Sequence, residues 1–477
     1  MTCCYDDQSR MKRTRGLLIL LAVYLVIVYL IPRPEAVKPE GWRLTGIFAA
    51  MVAGLMLQPM AVGALVLTAI TCATLFGGLT PQQALAGFGD PTVWLVQAAF
   101  FISRSLINTG LARRIALFFV RSFGTNSLGV SYALGATDMV LAMVIPSNGA
   151  RSGGVTLPVV RSIAELYGSK PGATAGLLGA FLMASVYQAV CISSAMFYTG
   201  QASNPLAAQM AGQFGGYQVT WVSWAWTALL PGLTSMLVVP WVVMRMMKPE
   251  ITRTPEAAAF ARQQLVEMGS MTKPEKILVG VFIGVCGLWA SSSWHGLDVA
   301  VVALMGAIAL LVMDVLSWED VVKERTAWDI FIWYGGLLQL GKSLNATGVT
   351  NVFANWFGGM LGGFTWPVLF VVTLLVYFYA HYAFASITAH MLAMYPAFLA
   401  VLSGAGAPLG LIVYGFACFT NLSAGLTNFG TTPAPMFFAQ DYVDFKTWWR
   451  VGFVVSLVNL AIWSTVGFGW WKVIGVW

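Results

Sequence analysis

Charged residues are scarce in this sequence of 477 residues, where Asp, Glu, Lys and Arg together make up 9% of the chain. Soluble domains contain roughly 25% charged residues, whereas 58% of the residues here are hydrophobic. A soluble protein is therefore excluded, and the composition is typical of a chain that crosses a membrane many times. The net charge of +7 comes from Lys and Arg clustered in polar segments, a pattern that indicates membrane topology and not nucleic-acid binding.

Metal ligands and catalytic groups are also few. The chain has 3 His and 6 Cys, and no spacing among them fits a metal site or a disulfide framework. No catalytic triad, acidic metal cluster or phosphate-binding loop can be assembled from the sequence. We therefore expect a protein that is not an enzyme and that holds no metal and no cofactor.

Long apolar runs dominate what remains. A spanning helix needs about 20 apolar residues, and by that measure the chain has about eleven candidate transmembrane helices. Two further apolar regions, 128–167 and 366–402, are each interrupted near the middle, which predicts two re-entrant helical hairpins. The predicted fold is an all-α polytopic membrane protein. The candidate helices lie near residues 16–31, 42–58, 60–79, 91–110, 174–199, 220–247, 276–290, 297–316, 327–346, 408–429 and 447–476.

The basic residues divide the chain and orient it. Four of them precede the first apolar run, which places the N-terminus in the cytoplasm. A polar, basic stretch at 248–275 is the one clear linker, and the same topology places it in the cytoplasm. The predicted domains are an N-terminal tail with the first transmembrane helix at 1–41, a first repeat at 42–247, the linker at 248–275 and a second repeat at 276–477.

The two halves resemble each other. The stretch from Arg104 to Gly110 aligns with the stretch from Lys342 to Gly348 at an offset of 348 − 110 = 238. We expect Arg104 and Lys342 to maintain the geometry of the repeat. With an odd number of spans in each half, the second copy must be inverted in the membrane. Transporters built on inverted repeats bind their substrates near the membrane midplane, at broken helices in corresponding positions of the two halves.

Four breaks fall at such positions, at 147–151, 200–205, 386–390 and 430–435. Irregular backbone survives at membrane depth only where it is buried in protein or lines a wet cavity. Each break leaves a helix N-terminus with free N–H groups, which suits an anion. The predicted binding site therefore takes a small organic dianion. The candidate substrate contacts are Ser147, Asn148, Gly149, Ser203, Asn204, Ser386, Thr388, Thr431 and Thr432, and the candidate helix-break residues are Gly200, Pro205, Gly430 and Pro433.

These breaks resemble those of the divalent-anion/sodium symporter family, and the resemblance extends from about residue 42 to the end. The family has a Ser-Asn-Thr motif at each hairpin tip, and residues 147–149 and 386–388 each match two of its three positions. The resemblance implies that these tip residues contact substrate. It also implies a homodimer in which a transport domain moves against a fixed scaffold, like an elevator.

Two departures from the family pattern affect the coupling. Ile387 replaces the Asn that helps to hold a cation in sodium-coupled members, and Arg151 and His390 follow the two tips at matching places. We expect these two residues to stand in for coupling cations. The chain therefore looks closest to the sodium-independent branch, whose members exchange 2-oxoglutarate, malate, succinate or citrate. The alternative is a sodium-coupled dicarboxylate symporter.

Structural alternatives for single residues stay open at this point. Arg151 would serve a structural role if it paired with Asp138 or Glu165, and His390 is also compatible with a satisfied core histidine. Asp138 is either a proton site or, as we favour, a structural hydrogen-bonding group. A channel or a non-transporting receptor is the remaining functional class. The expected location is a cell inner membrane, with the lipid bilayer and organic dianions as partners.

Overall fold

The computed structural model describes residues 2–349, 352 and 364–477, and within them the chain is helical and has no strand. Twelve helices lie before the linker. They are α1 Thr2–Leu25, α2 Pro39–Leu57, α3 Val62–Leu75, α4 Pro81–Leu85, α5 Pro91–Asn108, α6 Leu111–Phe123, α7 Ser127–Ala142, α8 Asn148–Arg151, α9 Leu157–Leu166, α10 Gly179–Met196, α11 Ser203–Gly215 and α12 Trp221–Met246.

The linker holds one helix, and the second half continues with helices of similar length. We number the described ones in chain order. They are α13 Pro255–Glu267, α14 Lys273–Ala290, α15 Ser292–His295, α16 Val299–Val312, α17 Trp318–Lys323, α18 Arg325–Ala346, α19 Trp366–Ala380, α20 Ile387–Gly404, α21 Leu409–Ser423, α22 Pro433–Phe438, α23 Phe445–Ile462 and α24 Phe468–Val473.

Seven helices in the described part of the chain are long and apolar enough to cross a membrane. The pair Pro81–Gly89 and Pro91–Asn108, bent by 45°, would make an eighth if it is one span. The helices α3, α7 and α16 are apolar but shorter, because neighbouring turns and breaks interrupt them. The all-helical membrane fold is therefore confirmed, while the count of about eleven spans and the two re-entrant hairpins stay predictions.

The helices α5 and α18 end in the same way, as the aligned sequences suggest. The hydroxyl of Thr109 donates to a backbone carbonyl four residues earlier at 2.8 Å, and that of Thr347 does so at 3.1 Å. The next residues, Gly110 and Gly348, have φ values of 78° and 81°. Only glycine adopts this left-handed conformation without strain, so each glycine stops its helix.

Reciprocal ion pairs join α5 to α18. Lys342 lies near the C-terminal end of α18, and its ammonium is 2.6 Å from the carboxylate of Asp90, the residue that caps the N-terminus of α5. Arg104, near the C-terminal end of α5, is 3.8 Å from Glu324, which precedes α18. Each helix therefore has its end beside the start of the other, so the two run antiparallel, as an inverted repeat requires.

The linker is held against the first half by ion-pair and hydrogen-bond contacts. The guanidinium of Arg114 on α6 lies 2.7 Å from the carboxylate of Glu275 and donates to the carbonyl of Gly269 at 2.9 Å. Burial alone would raise the pKa of Glu275, but hydrogen bonds from Arg114 and Thr272 hold that pKa below its usual value. The linker therefore forms a docked segment on the side where the N-terminus is predicted to lie.

Candidate functional site

The first predicted hairpin tip is a helix start capped by its own serine. The chain is extended at Ser147, whose hydroxyl accepts a hydrogen bond from the backbone N–H of Ala150 at 3.1 Å. The helical run that follows is α8, a π-helical turn at Ser152–Thr156, and α9. A serine in this position satisfies one of the free N–H groups at a helix N-terminus, and a side-chain oxygen of Gln201 accepts from another, that of Asn148.

The second tip repeats this geometry at an offset of 386 − 147 = 239 residues. Ser386 is extended, and its hydroxyl accepts a hydrogen bond from the backbone N–H of Ala389 at 3.4 Å as α20 begins. Two sequence-related serines therefore cap two helices, and both serines line the same cavity. Aligned N–H groups at the two helix starts give this cavity a positive potential at two places.

The two remaining breaks lie in the helices that follow the tips. The helix α10 ends at Met196, and α11 begins at Ser203. The helix α21 is followed by a short turn at Ala424–Leu426, and α22 begins only at Pro433. The predicted break residues Gly200 and Gly430 lie in these irregular segments, Pro433 is the first residue of α22 and Pro205 lies in the first turn of α11. Proline is tolerated at such starts because its missing N–H would be unpaired anyway.

The tips and the breaks meet around a cavity of about 430 Å³. Seven of the nine predicted substrate contacts line it, and they come from the two tips and from the break of the second half. They are Ser147, Asn148, Gly149, Ser386, Thr388, Thr431 and Thr432. The first tip is bridged to the break of the second half, because the side-chain amide of Asn148 donates to the hydroxyl of Thr431 at 2.9 Å.

Ser203 and Asn204 lie behind the cavity wall and not in it. The Asn204 amide donates to the carbonyls of Ser194 and Phe197, both at 2.8 Å, and its oxygen accepts from Asn421. These bonds tie the start of α11 to the end of α10, so Asn204 holds the break together. The residues of this break that line the cavity are Gln201 and Ala202, and the side-chain oxygen of Gln201 accepts from the backbone N–H of Asn148 at 3.4 Å.

The opposite wall of the cavity comes from α18 and from the connection between α2 and α3. Sequence analysis did not single out these residues, although an acid inside the predicted span 327–346 is a signal for Asp329. Gln58 adopts a left-handed conformation with φ 49°, which turns the chain between α2 and α3. The residues of this wall are Leu55, Gln58, Val62, Thr326, Asp329, Ile330, Trp333 and Leu337.

The structure places Arg151 behind the first tip, outside the residues that line the cavity. Its side chain is fully buried, and its guanidinium lies 3.1 Å from the carboxylate of Asp138. The same guanidinium donates to the backbone carbonyls of Ile145 at 2.8 Å and Gly200 at 2.6 Å, and to the hydroxyl of Ser194 at 2.9 Å. Arg151 therefore pairs with Asp138 and not with Glu165. Its bonds to Ile145 and Gly200 also link the tip to the break.

His390 lies in the same relation to the second tip. Its side chain is fully buried, and its Nδ1 lies 3.0 Å from the Nδ1 of His381. The Nε2 of His381 lies 2.9 Å from the carbonyl oxygen of Gly430. In each half a basic side chain therefore contacts the glycine carbonyl of the break. In the first half Arg151 donates to the carbonyl of Gly200, and in the second half His381 lies between His390 and the carbonyl of Gly430.

The described cavity lining consists mainly of neutral hydrogen-bonding groups, and its one charged group is the carboxyl of Asp329 in the wall formed by α18. Hydroxyls, amides and two helix starts face the space, and no Lys or Arg is among the described residues that line it. Such a site can hold carboxylates by N–H and O–H donors without a direct ion pair. No cluster of metal ligands lies among the described residues, and the many hydrogen-bond donors of the lining suit binding and release of an anion.

A polar cavity between broken helices of an all-helical membrane fold defines the class of this molecule as a membrane transporter. Residues 11–477 match the family model for the sodium:sulfate symporter transmembrane region. The chain belongs to this family, the divalent-anion/sodium symporter family, and is a multi-pass membrane transporter and not an enzyme.

Similar proteins cover nearly the whole chain. YflS of Bacillus subtilis (strain 168), whose name proposes malate transport, is 42% identical over 462 residues, which are 97% of this chain and 96% of that protein. The chloroplastic dicarboxylate transporter 1 of Spinacia oleracea is 40% identical over 455 residues, 95% of this chain and 80% of that protein. The crystal structure of the Alcanivorax borkumensis YdaH transporter matches with a TM-score of 0.56 at 14% identity, over 91% of this chain and 98% of that one, and supports the fold alone.

Proposed function

We propose that the chain is a secondary transporter that exchanges organic dianions, namely dicarboxylates such as malate, succinate and 2-oxoglutarate or a related tricarboxylate. The observation that carries this proposal is the meeting of two serine-capped helix starts in one cavity, at Ser147 and Ser386. Two separate anion sites in one space suit a molecule with a carboxylate at each end. The names of the similar bacterial and chloroplast proteins support the same substrate class.

Arg151 and His390 stand in for coupling cations by acting behind the tips. Backbone carbonyl oxygens and unwound helix segments coordinate sodium in many coupled transporters. Here one guanidinium nitrogen of Arg151 already donates to the carbonyls of Ile145 and Gly200. His381, which contacts His390, lies at hydrogen-bonding distance from the carbonyl of Gly430. A tethered donor at each carbonyl removes the need for a mobile cation, which favours sodium-independent transport.

Tethered donors also favour exchange over net uptake. A mobile cation leaves with the substrate, whereas Arg151 and His390 stay in the protein. The empty carrier would then move two helix starts with no anion bound to complement their positive ends. Return loaded with a second dianion avoids this cost, so we propose obligate exchange.

The two walls of the cavity suggest how the movement occurs. One wall is built from the tips and breaks, and the other from α18 and the α2–α3 connection. We propose that the first wall slides against the second as an elevator, within a homodimer in a cell inner membrane. The reciprocal ion pairs of α18 with α5 would keep the second wall rigid during this movement.

Counterflow into proteoliposomes tests the exchange. Purified protein is reconstituted into vesicles that are either empty or preloaded with unlabelled malate, and uptake of labelled 2-oxoglutarate is followed. We expect uptake into preloaded vesicles at least tenfold faster than into empty ones. Equal uptake into both would contradict exchange, and uptake that never saturates would indicate a channel.

Sodium-coupled dicarboxylate symport is the second candidate, because the family model is named for sodium coupling. It predicts accumulation in empty vesicles that depends on an inward sodium gradient. The residue against it is Ile387, an apolar side chain at the tip position where sodium-coupled members carry Asn.

A further inference from the structure

The two halves differ in what faces the basic residue behind each tip. Arg151 and His390 are related by the offset 390 − 151 = 239, and Asp138 and Tyr377 by the same offset, 377 − 138 = 239. In the first half the carboxylate of Asp138 lies 3.1 Å from the guanidinium. In the second half the ring of Tyr377 packs on His390 with a centroid distance of 4.3 Å. The first half therefore holds an internal ion pair, whereas the second holds a basic group without a counter-ion.

The histidines form a short chain with one end closed and the other open. The carbonyl oxygen of Gly430 lies 2.9 Å from His381 Nε2, and His381 Nδ1 lies 3.0 Å from His390 Nδ1. At the far end, His390 Nε2 is buried and makes no hydrogen bond of ordinary geometry with the described residues, although the backbone of Tyr377 faces the imidazole. Both side chains are fully buried, so water does not reach this nitrogen from outside.

Counting protons along this chain fixes the tautomers of the neutral pair. A carbonyl oxygen only accepts, so His381 Nε2 must carry a hydrogen to bond Gly430. His381 Nδ1 is then a lone pair, and His390 Nδ1 must carry the hydrogen between the rings. His390 Nε2 is left as a bare lone pair in a buried place. One added proton at this nitrogen would convert the neutral pair into a cation that keeps both existing hydrogen bonds.

The surroundings decide when that proton is held. On α19, the titratable group that faces the histidine pair is Tyr377, whose hydroxyl is hydrogen-bonded to that of Thr420 on α21. On α20 and in the described break that follows α21, the pair interacts with no acid or base other than its own two rings. Phe384 packs on His390 at 5.1 Å. Within the described part of the chain, neither ring interacts with a charged group other than the second histidine, and the one acid that lines the cavity, Asp329, belongs to the opposite wall. In the empty protein, burial without a counter-ion therefore favours the neutral pair.

A dianion in the cavity reverses this preference. Thr388 and Ala389 line the cavity, and His390 is the next residue on the same helix. We propose that the His381–His390 pair is a substrate-linked proton site, where binding of a dianion draws a proton onto His390 Nε2 as it enters. This inference rests on the proposed function, since it needs a dianion in the cavity. The positive charge of the second half is then present only when a dianion is bound. The charge of Arg151 in the first half is permanent and is paired with Asp138.

The sign of the pH dependence follows by linkage. Binding of the dianion takes up a proton, so mass action ties affinity to proton concentration. Dianion affinity therefore rises as pH falls through the interval in which the occupied site holds the proton and the empty site does not, by up to about tenfold per pH unit, and levels off beyond it. During exchange, the loaded carrier holds a proton in both directions, so no net proton crosses the membrane. The coupling of dianion binding to protonation is therefore observed in the affinity and in the proton uptake on binding.

Calorimetry on the wild-type protein tests the inference without a mutation. Titration of detergent-solubilised protein with malate, in sodium-free buffers of different ionisation enthalpy, gives the number of protons taken up on binding. We expect uptake that approaches roughly one proton per malate within this interval. Binding with no proton uptake at any pH from acid to neutral would overturn the inference and leave the exchange proposal intact. A failure of malate, succinate and 2-oxoglutarate to bind would overturn both.

Variants then assign the proton. His390→Gln should abolish the uptake and flatten the pH dependence of affinity, while His295→Gln, at the exposed third histidine, should keep wild-type values. His381→Gln retains a donor for Gly430 and an acceptor for His390, so it should fold and show a shifted midpoint. Full proton uptake with an unchanged midpoint in both His390→Gln and His381→Gln would overturn the assignment.

Discussion

At the scale of single residues, Arg151 holds the first half of the site together. Its guanidinium joins the carboxylate of Asp138 to the carbonyls of Ile145 and Gly200 in a fully buried place. A charge in such surroundings is tolerated only when it is paired and hydrogen-bonded. Arg151 therefore acts as a positioning residue that fixes the tip against the break. The substrate would contact the tip and the break, and not Arg151 itself.

Removal of this guanidinium should be costly. Arg151→Met leaves Asp138 buried without a counter-ion, so we expect a loss of about 3–5 kcal/mol in stability, measured by thermal or denaturant unfolding in detergent. The matched control is Arg161→Met, whose exposed pair with Glu165 should contribute less than about 1 kcal/mol. The double variant Arg151→Met with Asp138→Asn should regain most of the stability but not the exchange. An unchanged unfolding midpoint in the single variant would contradict this role.

The capping serines should affect substrate binding more than folding. Ser147→Ala and Ser386→Ala each remove a helix cap and a cavity hydroxyl. We expect each to weaken dicarboxylate binding by about 1 kcal/mol, which corresponds to a factor of about five in affinity. We expect the KM for dicarboxylate to rise by about that factor in each variant while the maximal rate changes less. Ser162→Ala, which removes an exposed hydroxyl on α9, is the control. Equal KM values in all three variants would exclude both serines from the site.

At the scale of elements, the first tip and the break that precedes α22 must pack closely. A Cβ on Gly149 would lie 2.8 Å from Cγ2 of Thr432, closer than real Cβ atoms come, so Gly149→Ala should push the tip and the break apart. We expect exchange to fall at least tenfold. Gly284→Ala on α14, where a Cβ meets nothing within 4 Å, is the control.

A second substitution makes the test of this contact specific. Thr432→Ser removes Cγ2, the atom that the new methyl group would meet, so it should restore part of the activity in the Gly149→Ala background. Wild-type exchange by Gly149→Ala alone would show that the tip and the break need not approach so closely. Activity that Thr432→Ser fails to improve would place the damage elsewhere.

Docking of the linker should weaken with acid. The folded-state pKa of Glu275 is lowered, so its contribution to stability is present above its unfolded pKa and is lost as pH falls through the lower folded value. We expect the protection factors of the α13 amides, which correct for the intrinsic exchange rate at each pH, to fall in acid and in Glu275→Gln at neutral pH. Glu267→Gln is a control on an exposed acid of the same segment, and its exchange should match wild type. Identical protection of α13 in all three proteins would contradict the docking.

At the scale of the whole molecule, two ion pairs join α5 and α18. Lys342→Met leaves the carboxylate of Asp90, which is 8% exposed, without its ammonium partner, whereas Arg104→Met breaks a longer pair whose arginine is more than a third exposed. We expect about 1–2 kcal/mol of lost stability for the first variant and under about 1 kcal/mol for the second. A larger effect for Arg104→Met would mean that the pair at Asp90 does not support the wall formed by α18.

The helical class, the breaks and most of the cavity could be predicted from the sequence, because clusters of glycine, proline and serine inside apolar runs interrupt membrane helices. Gln201 and Asp329 were missed, since side-chain direction inside a break and the identity of the facing helix depend on tertiary packing. Ser203 and Asn204 were predicted in the cavity and lie one layer behind it. The role of Asp138 as the partner of Arg151 was visible only as one alternative, because spacing alone does not choose between two acids on the hairpin arms.

The most direct test of the central claim, that tethered side chains replace coupling cations at the break carbonyls, is the sodium dependence of exchange. Initial rates of malate-for-malate exchange by the wild-type protein are measured as sodium is varied from none to saturating amounts at constant ionic strength. Rates that do not change with sodium would agree with the donors found at the carbonyls of Gly200 and Gly430. Rates that vanish without sodium and rise with its concentration would contradict the claim and assign the chain to sodium-coupled transport.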